Sequence, residues 1–206
     1  MSLAFFPTVD ALIDAADDFS GFVSIGPAPI AQDDLDRLYE TFSHGVFIDI
    51  NPAPALFHSV RPDLQQTVID AIYTLREQGR QRIAFIGGAG HMMGSHVFAQ
   101  DPRTVAFNEW AHLLDMPTDG YVCASGPFTV ENGRSQAEAL LDACTDDLPD
   151  AVLVAADSLA VGVIQVLAAR GLRVPGQIAV VSIDNLQVCE YTAPTLSSYA
   201  IERSEL

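Results

Sequence analysis

The stretch AVLVAADSLAVGVIQVLAARGLRVPGQIAVVSID, Ala151 to Asp184, decides the fold. Its opening, Ala151–Ala155, is a short valine-rich run with no polar alternation, the pattern of a parallel strand covered on both faces. Asp157 and Ser158 follow, and oxygen-bearing side chains at that place predict an N-cap. Leu159, Val163, Val166 and Leu167 recur at helical spacing. Gly171 is suited to the left-handed conformation that closes a helix, and Pro175 bars its continuation. Ile178–Ile183 is a second apolar run. It ends in Asp184-Asn185, which places polar groups at the carboxyl end of a strand, the edge where open α/β sheets take their ligands.

The same alternation extends in both directions. Strands are predicted at Phe22–Ile25, Val46–Ile50, Ile83–Ile86 and Tyr121–Ala124, besides the two above. Helices are predicted over Val9–Ala16, Asp33–Phe42, Leu64–Gln78, Arg103–Leu114, Val130–Cys144 and Ser158–Arg170. Strands alternating with helices at this spacing specify an α/β fold with parallel sheets.

Composition narrows the classes. The 206 residues carry 10 basic and 27 acidic side chains, a net charge of −17, which repels phosphate backbones and argues against DNA binding by these residues. All the basic residues are arginines, so a P-loop lysine and a Schiff-base lysine are excluded. No apolar run approaches the length of a membrane span, and MSLAFFPTVD lacks the pattern of a secretory signal. Cys123, Cys144 and Cys189 are widely spaced and predict free thiols in a reducing compartment. Gly88-Ala89-Gly90-His91-Met92-Met93-Gly94 follows a strand, but no apolar-periodic helix opens behind it, so it reads as a strand-end loop rather than a phosphate cradle. His91 and His96 lack acidic or thiol partners at ligand spacing, and no metal or cofactor is expected. No nucleophile–base pattern emerges, and the reading is non-enzymatic.

Several segments together resemble the lactose/galactose-repressor family of bacterial transcription regulators, in its effector-binding domain. They are AADSLAVG, RGLRVPGQIAVVSIDN and APTLSS (Ala193–Ser198) downstream, and LREQGRQRIAFIGG (Leu75–Gly88) and DPRTVAFNEW (Asp101–Trp110) upstream. The resemblance covers roughly residues 20 to 206. It implies a periplasmic-binding-protein-like architecture of two Rossmann-like subdomains with the effector in a cleft between them. On that basis residues 1–80 form an incomplete N-terminal subdomain, 81–196 the C-terminal subdomain, and 197–206 the crossing back. Nothing in the chain resembles the family's helix-turn-helix headpiece, and the expectation is a domain truncated at both ends.

The candidate effector-binding residues are Arg103, Asp184, Asn185, Asp63, Phe128 and Asp157. A sugar presents hydroxyls and an apolar C–H face, so planar bidentate partners and an aromatic ring are the appropriate chemistry. Arg103 stands at a helix start, where the dipole opposes a cation. It is expected to contribute little to folding, and the family's effector arginine matches it; the alternative is a surface pair with Asp101 or Glu109. Asp184 and Asn185 end a buried strand, or serve a turn. Asp63 follows Pro62 and precedes a predicted helix, which makes it an N-cap, while the resemblance implies a ligand-facing aspartate at this place. Phe128 lies in Gly-Pro-Phe-Thr before a helix, the place of a hydrophobic staple, while the resemblance implies a ring stacked on effector. Asp157 is close to the family's effector-contacting polar pair, although Ala156 stands where some members have asparagine, a departure that argues for a different sugar or pose.

The resemblance implies a cytoplasmic, sugar-responsive regulator module with no membrane partner, a galactoside being the first choice of effector. Operator DNA would be reached only through the missing headpiece, and a homodimer or higher homo-oligomer is expected. The alternative with the same fold is a periplasmic sugar-binding protein of an ABC transporter. A nicotinamide-dependent enzyme rests only on the glycine loop.

Overall fold

A computed structural model describes residues 3–26, 30–49, 52–89, 101–145 and 147–201. These form two compact units, one reaching to Pro62 and one beginning at Asp63.

The first unit holds helix α1 (Val9–Asp14), strand β1 (Gly21–Ile25), helix α2 (Gln32–Thr41) and strands β2 (His44–Ile48) and β3 (His58–Val60). The strands run parallel in the order β1-β2-β3. Their core is aromatic. Phe22 meets Phe42, Phe47 and Phe57 edge-on, with ring centroids 5.5–5.7 Å apart, the arrangement that ring quadrupoles favour. Leu35 and Leu38 of α2 close over this cluster. Thr8 caps α1 by accepting the Ala11 amide at 3.2 Å. β3 was not legible in the sequence: three residues are too few to show alternation.

The second unit holds helix α3 (Leu64–Glu77), strand β4 (Ile83–Gly87), helix α4 (Pro102–Leu113), strand β5 (Val122–Ala124), helix α5 (Val130–Ala143), strand β6 (Ala151–Val154), helix α6 (Asp157–Ala169) and strands β7 (Ala179–Asp184) and β8 (Ser197–Ala200). A 3₁₀ turn, Gln187–Tyr191, links the last two strands. The five strands are parallel in the order β5-β4-β6-β7-β8. β4 and β6 are buried along their whole length, which explains why their sequences lack polar alternation. One face packs on Leu140, Leu141, Leu159, Val163 and Leu167 of α5 and α6. The other packs on Val68, Ile72 and Leu75 of α3 and Ala106 and Phe107 of α4.

The expected boundary at residue 80 placed α3 with the first subdomain. Its apolar stripe instead lies in one cluster with Ile83, Phe85 and Leu153. A helix goes with the sheet that buries its stripe, and the sequence does not say which sheet that is. Ser197–Ala200, expected to be part of a crossing between subdomains, is the fifth strand of this sheet, with Ile183 opposite Tyr199. Helices α5 and α6 approach closely at two glycines: a Cβ on Gly133 would stand 2.1 Å from the Leu159 carbonyl oxygen, and one on Gly162 2.2 Å from that of Val130. Gly171 takes φ 72°, and the Gly171 and Leu172 amides donate back to Ala168 and Leu167, the paired bonds of a glycine-terminated helix.

Candidate functional site

Chain order leaves a mark on the second sheet. From β4 the chain goes to β5 on one side, then returns past β4 to β6 on the other. The connections therefore diverge between β4 and β6, and at such a switch point the carboxyl ends of adjacent strands open a crevice. Two of the sequence candidates meet there. Arg103, the second residue of α4, donates from Nη1 to the carbonyl oxygen of Ala155, just past β6, at 2.7 Å. Its guanidinium carbon lies 4.7 Å from the centre of the Phe128 ring. That ring packs on Gly88, just past β4, where any Cβ would be 2.8–3.0 Å from the ring carbons. The glycine after β4 thus makes room for an aromatic ring, and the Ala89 amide is held by Gly126 O at 2.8 Å. The remainder of that glycine loop, with His91 and His96, lies outside the described residues.

Arg103 is also the partner of Asp101. Nε and Nη2 donate to the two carboxylate oxygens at 2.8 and 2.7 Å, and the side chains are only 12% and 9% exposed. Asp101 caps α4 as well, accepting the Arg103 amide at 2.9 Å. The pair with Asp101, expected as a surface contact in the alternative reading, is buried instead, and its counter-charge offsets the unfavourable helix dipole at this position. A guanidinium has five N–H groups. Three are engaged in these side-chain bonds, and the others are the donors with which Arg103 can meet a ligand.

Asp184 and Asn185 end β7 with φ of 115° and 52°, two successive non-glycine residues outside the usual region. The Asn185 amide donates to Ser198 Oγ at 3.0 Å. Asp157 lies beneath this turn and is 0% exposed. Its Oδ1 accepts from the Ser182 and Ser198 hydroxyls, the latter at 2.6 Å, and its Oδ2 from the Leu186 amide at 2.6 Å. The expected N-cap at Asp157 and Ser158 is not formed: Ala156 holds the cap position with no side-chain bond, and the Ser158 hydroxyl donates to Phe128 O at 3.0 Å. Neutral donors from three other segments outcompete the helix amides for this carboxylate. Asp63 does cap α3, accepting the Gln66 amide at 2.9 Å.

Sequence reasoning named Asp101 only as an alternative surface partner of Arg103, missing its burial and its cap role, and it missed Ser182 and Ser198. Asp101 was legible in principle, since Asp-Pro opening an apolar-periodic helix is a start signal. The serines carried no local signal. All three cysteines are free, with Cys144 and Cys189 buried and Cys123 half-buried. Burial, reinforced by the Asp157 carboxylate, pushes the Cys189 thiol up to about 11. Among the described residues no group of three His, Cys, Asp or Glu could hold a metal, and no helix is long and apolar enough to cross a membrane. A recess of about 430 Å³ lined by Asn108, His112, Asp115, Met116 and Thr118 lies at the C-terminal end of α4, the end away from Arg103. It is not the crevice described above.

Residues 72–206 match a family described as periplasmic binding protein-like domain. The chain is 39% identical over 201 residues to the HTH-type transcriptional regulator LacR of Lactobacillus helveticus, covering 98% of this chain and 59% of that protein. It is 33% identical over 197 residues to GanR of Bacillus subtilis, again a regulator of the HTH type, covering 96% and 59%. The chain belongs to the lactose/galactose-repressor family. It spans the effector-binding, periplasmic-binding-protein-like region, and so about three-fifths of the length of those two regulators. A crystal structure of a regulatory protein of this family from Chloroflexus aggregans superposes with a TM-score of 0.76 at 25% identity, covering 92% of this chain and 66% of that one. The family assignment and the α/β fold with parallel sheets thus agree with the resemblance read from the sequence.

Proposed function

We propose that this chain is the sugar-sensing module of a cytoplasmic transcription regulator, and that its effector is a small uncharged carbohydrate, a galactoside first. Arg103, Phe128, Asp184, Asn185 and Asp63 are the proposed contacts. One observation carries the reading: an arginine already neutralised by Asp101, with N–H donors to spare, lies against an aromatic ring at the switch point. That combination suits hydroxyls and a C–H face. It suits a phosphate poorly, because Asp101 already balances the arginine charge. The regulator names of the relatives favour this role over transport. The module is non-enzymatic. Operator DNA is contacted by a helix-turn-helix outside these residues, and the regulator acts as a homodimer or higher homo-oligomer.

Calorimetric titration with methyl β-D-galactoside and with galactose 6-phosphate tests the reading. The uncharged ligand should bind at least tenfold more tightly. Arg103→Lys, checked for folding by circular dichroism, should weaken it about tenfold to a hundredfold, because a charged hydrogen bond is worth roughly 1.5–3 kcal/mol. Preference for the phosphate would overturn the uncharged-effector reading, and unchanged affinity would remove Arg103 from the site.

A further inference from the structure

The turn after β7 presents Asp184 and Asn185, yet its own residues do not explain its shape. Both are non-glycine residues at positive φ, a conformation that L side chains adopt only when surrounding contacts impose it. The contacts that hold the turn converge on one group. Asp157 is wholly buried and has no cationic partner among its hydrogen bonds. Each of its carboxylate oxygens is used. Oδ1 holds Ser182 in the middle of β7 and Ser198 in β8, and Oδ2 holds the Leu186 amide directly behind the turn. Ser198 passes the restraint on, because its oxygen accepts from the Asn185 amide while its proton goes to Asp157. Two consecutive amides of the turn are therefore tied to a single carboxylate, one directly and one through a hydroxyl.

We infer that Asp157 is a positioning residue for the Asp184–Asn185 turn: it acts on effector through that turn and does not touch effector itself. A buried carboxylate without a cation is tolerable only when neutral donors satisfy it, and here those donors belong to the segments that must be held in register. The geometry also explains why Asp157 does not cap its own helix. The role in binding rests on the proposed function above; the role in fixing the turn does not.

Amide hydrogen exchange in the 206-residue chain, read by NMR, separates the alternatives. In Ser198→Ala the Asn185 amide loses its acceptor and the turn its second tie, so the Asn185 amide, and less directly that of Leu186, should exchange at least about tenfold faster; Asp157→Asn, if it folds, should speed both. Amides of β4 and β6 should keep their wild-type rates, and Ser198→Thr, which retains the hydroxyl, should restore protection. A uniform acceleration across the sheet would reduce Asp157 to general fold stabilisation and overturn the inference. So would unchanged exchange at Asn185 and Leu186 in Ser198→Ala. Titration of the same proteins with methyl β-D-galactoside is a separate arm. If wild type fails to bind, the galactoside reading falls while the exchange result still decides whether Asp157 fixes the turn. If wild type binds, affinity should fall in Ser198→Ala and return in Ser198→Thr; retained affinity with a loosened turn would overturn the link to effector.

Discussion

Helices α4 and α6 both begin beside a strand end of the second sheet with an aspartate, and the two carboxylates are satisfied by opposite means. Asp101 stands at the cap position, accepts a helix amide and holds the guanidinium of Arg103 two residues on. Asp157 stands one residue inside its helix, has no arginine, and is satisfied by two hydroxyls and an amide from distant segments. A local ion pair leaves part of Arg103 able to meet a ligand. A web of neutral donors leaves nothing of Asp157 exposed and makes it a fastening between strands. Similar local sequence thus supports either a local ion pair at a helix cap or a buried clamp between strands, according to what the fold brings near.

The largest expected effect tests that contrast directly. Asp157→Ala strands three donors in a site without solvent, so it should cost about 3–5 kcal/mol of stability by denaturant unfolding. Asp101→Ala should cost less, roughly 2–3 kcal/mol, because its partner retains slight access to water. Equal losses would break the comparison. A double-mutant cycle sharpens it: replacing Asp101 and Arg103 together by apolar residues should recover much of the single-mutant loss, since a buried pair exchanged as a unit is far less costly than one broken in half.

A smaller effect is expected at Asp63, which performs only the local half of what Asp101 does. Asp63→Ala should lower stability by about 1 kcal/mol, the usual cost of a lost N-cap. A larger loss would mean that its carboxylate has a role beyond the cap.

The pH dependence probes the buried clamp from another side. Burial next to Asp157 raises the Cys189 thiol from 9.0 to about 11, and burial raises the Tyr121 hydroxyl from 10.0 to about 12. Both groups release protons more readily in the unfolded chain. Their contribution to stability is therefore complete below pH 9 and is lost as pH rises from about 9 to 12. Urea midpoints should be flat from pH 7 to 9 on this account and fall above it, with Cys189→Ala flattening the lower part of the fall. Alkylation of Cys189 at pH 8 should be about a hundredfold slower than that of a free thiol, scaling with the thiolate fraction.

The smallest effect belongs to ion pairs that are neither clamp nor site. Arg170 and Asp142 meet at 2.9 Å with both side chains about half exposed or more. Arg170→Ala should change stability by no more than about 0.5 kcal/mol, because solvent screens the pair and side-chain entropy opposes it.

Much of the fold was legible because its signals are local. The six α-helices among the described residues were foreseen to within a residue or two, since apolar spacing, capping residues and the Gly171 terminator act within a few positions. β4, β6 and β7 were foreseen because strands buried on both faces read as unbroken apolar runs. β3 and β8 were missed. The first is too short, and Ser197–Ala200, SSYA, has no apolar alternation. Its place comes from pairing with β7. Within the candidate site, Arg103 and Phe128 were singled out separately, but their contact depends on the switch point between β4 and β6. That follows from strand order, which periodicity does not encode.

The sequence by itself determined the α/β class, the positions of the helices, the family and the residue types available at the strand ends. Tertiary structure alone decided which sheet α3 joins, that Arg103 is neutralised and held by Asp101 and Ala155, and that Asp157 clamps strands rather than capping a helix. The reason is one of range. Helix and strand patterns arise from neighbours a few positions apart, whereas the donors that satisfy Asp157 lie 25, 29 and 41 residues away. A carboxylate accepts from whichever donors the fold delivers, and a linear pattern carries no record of that choice.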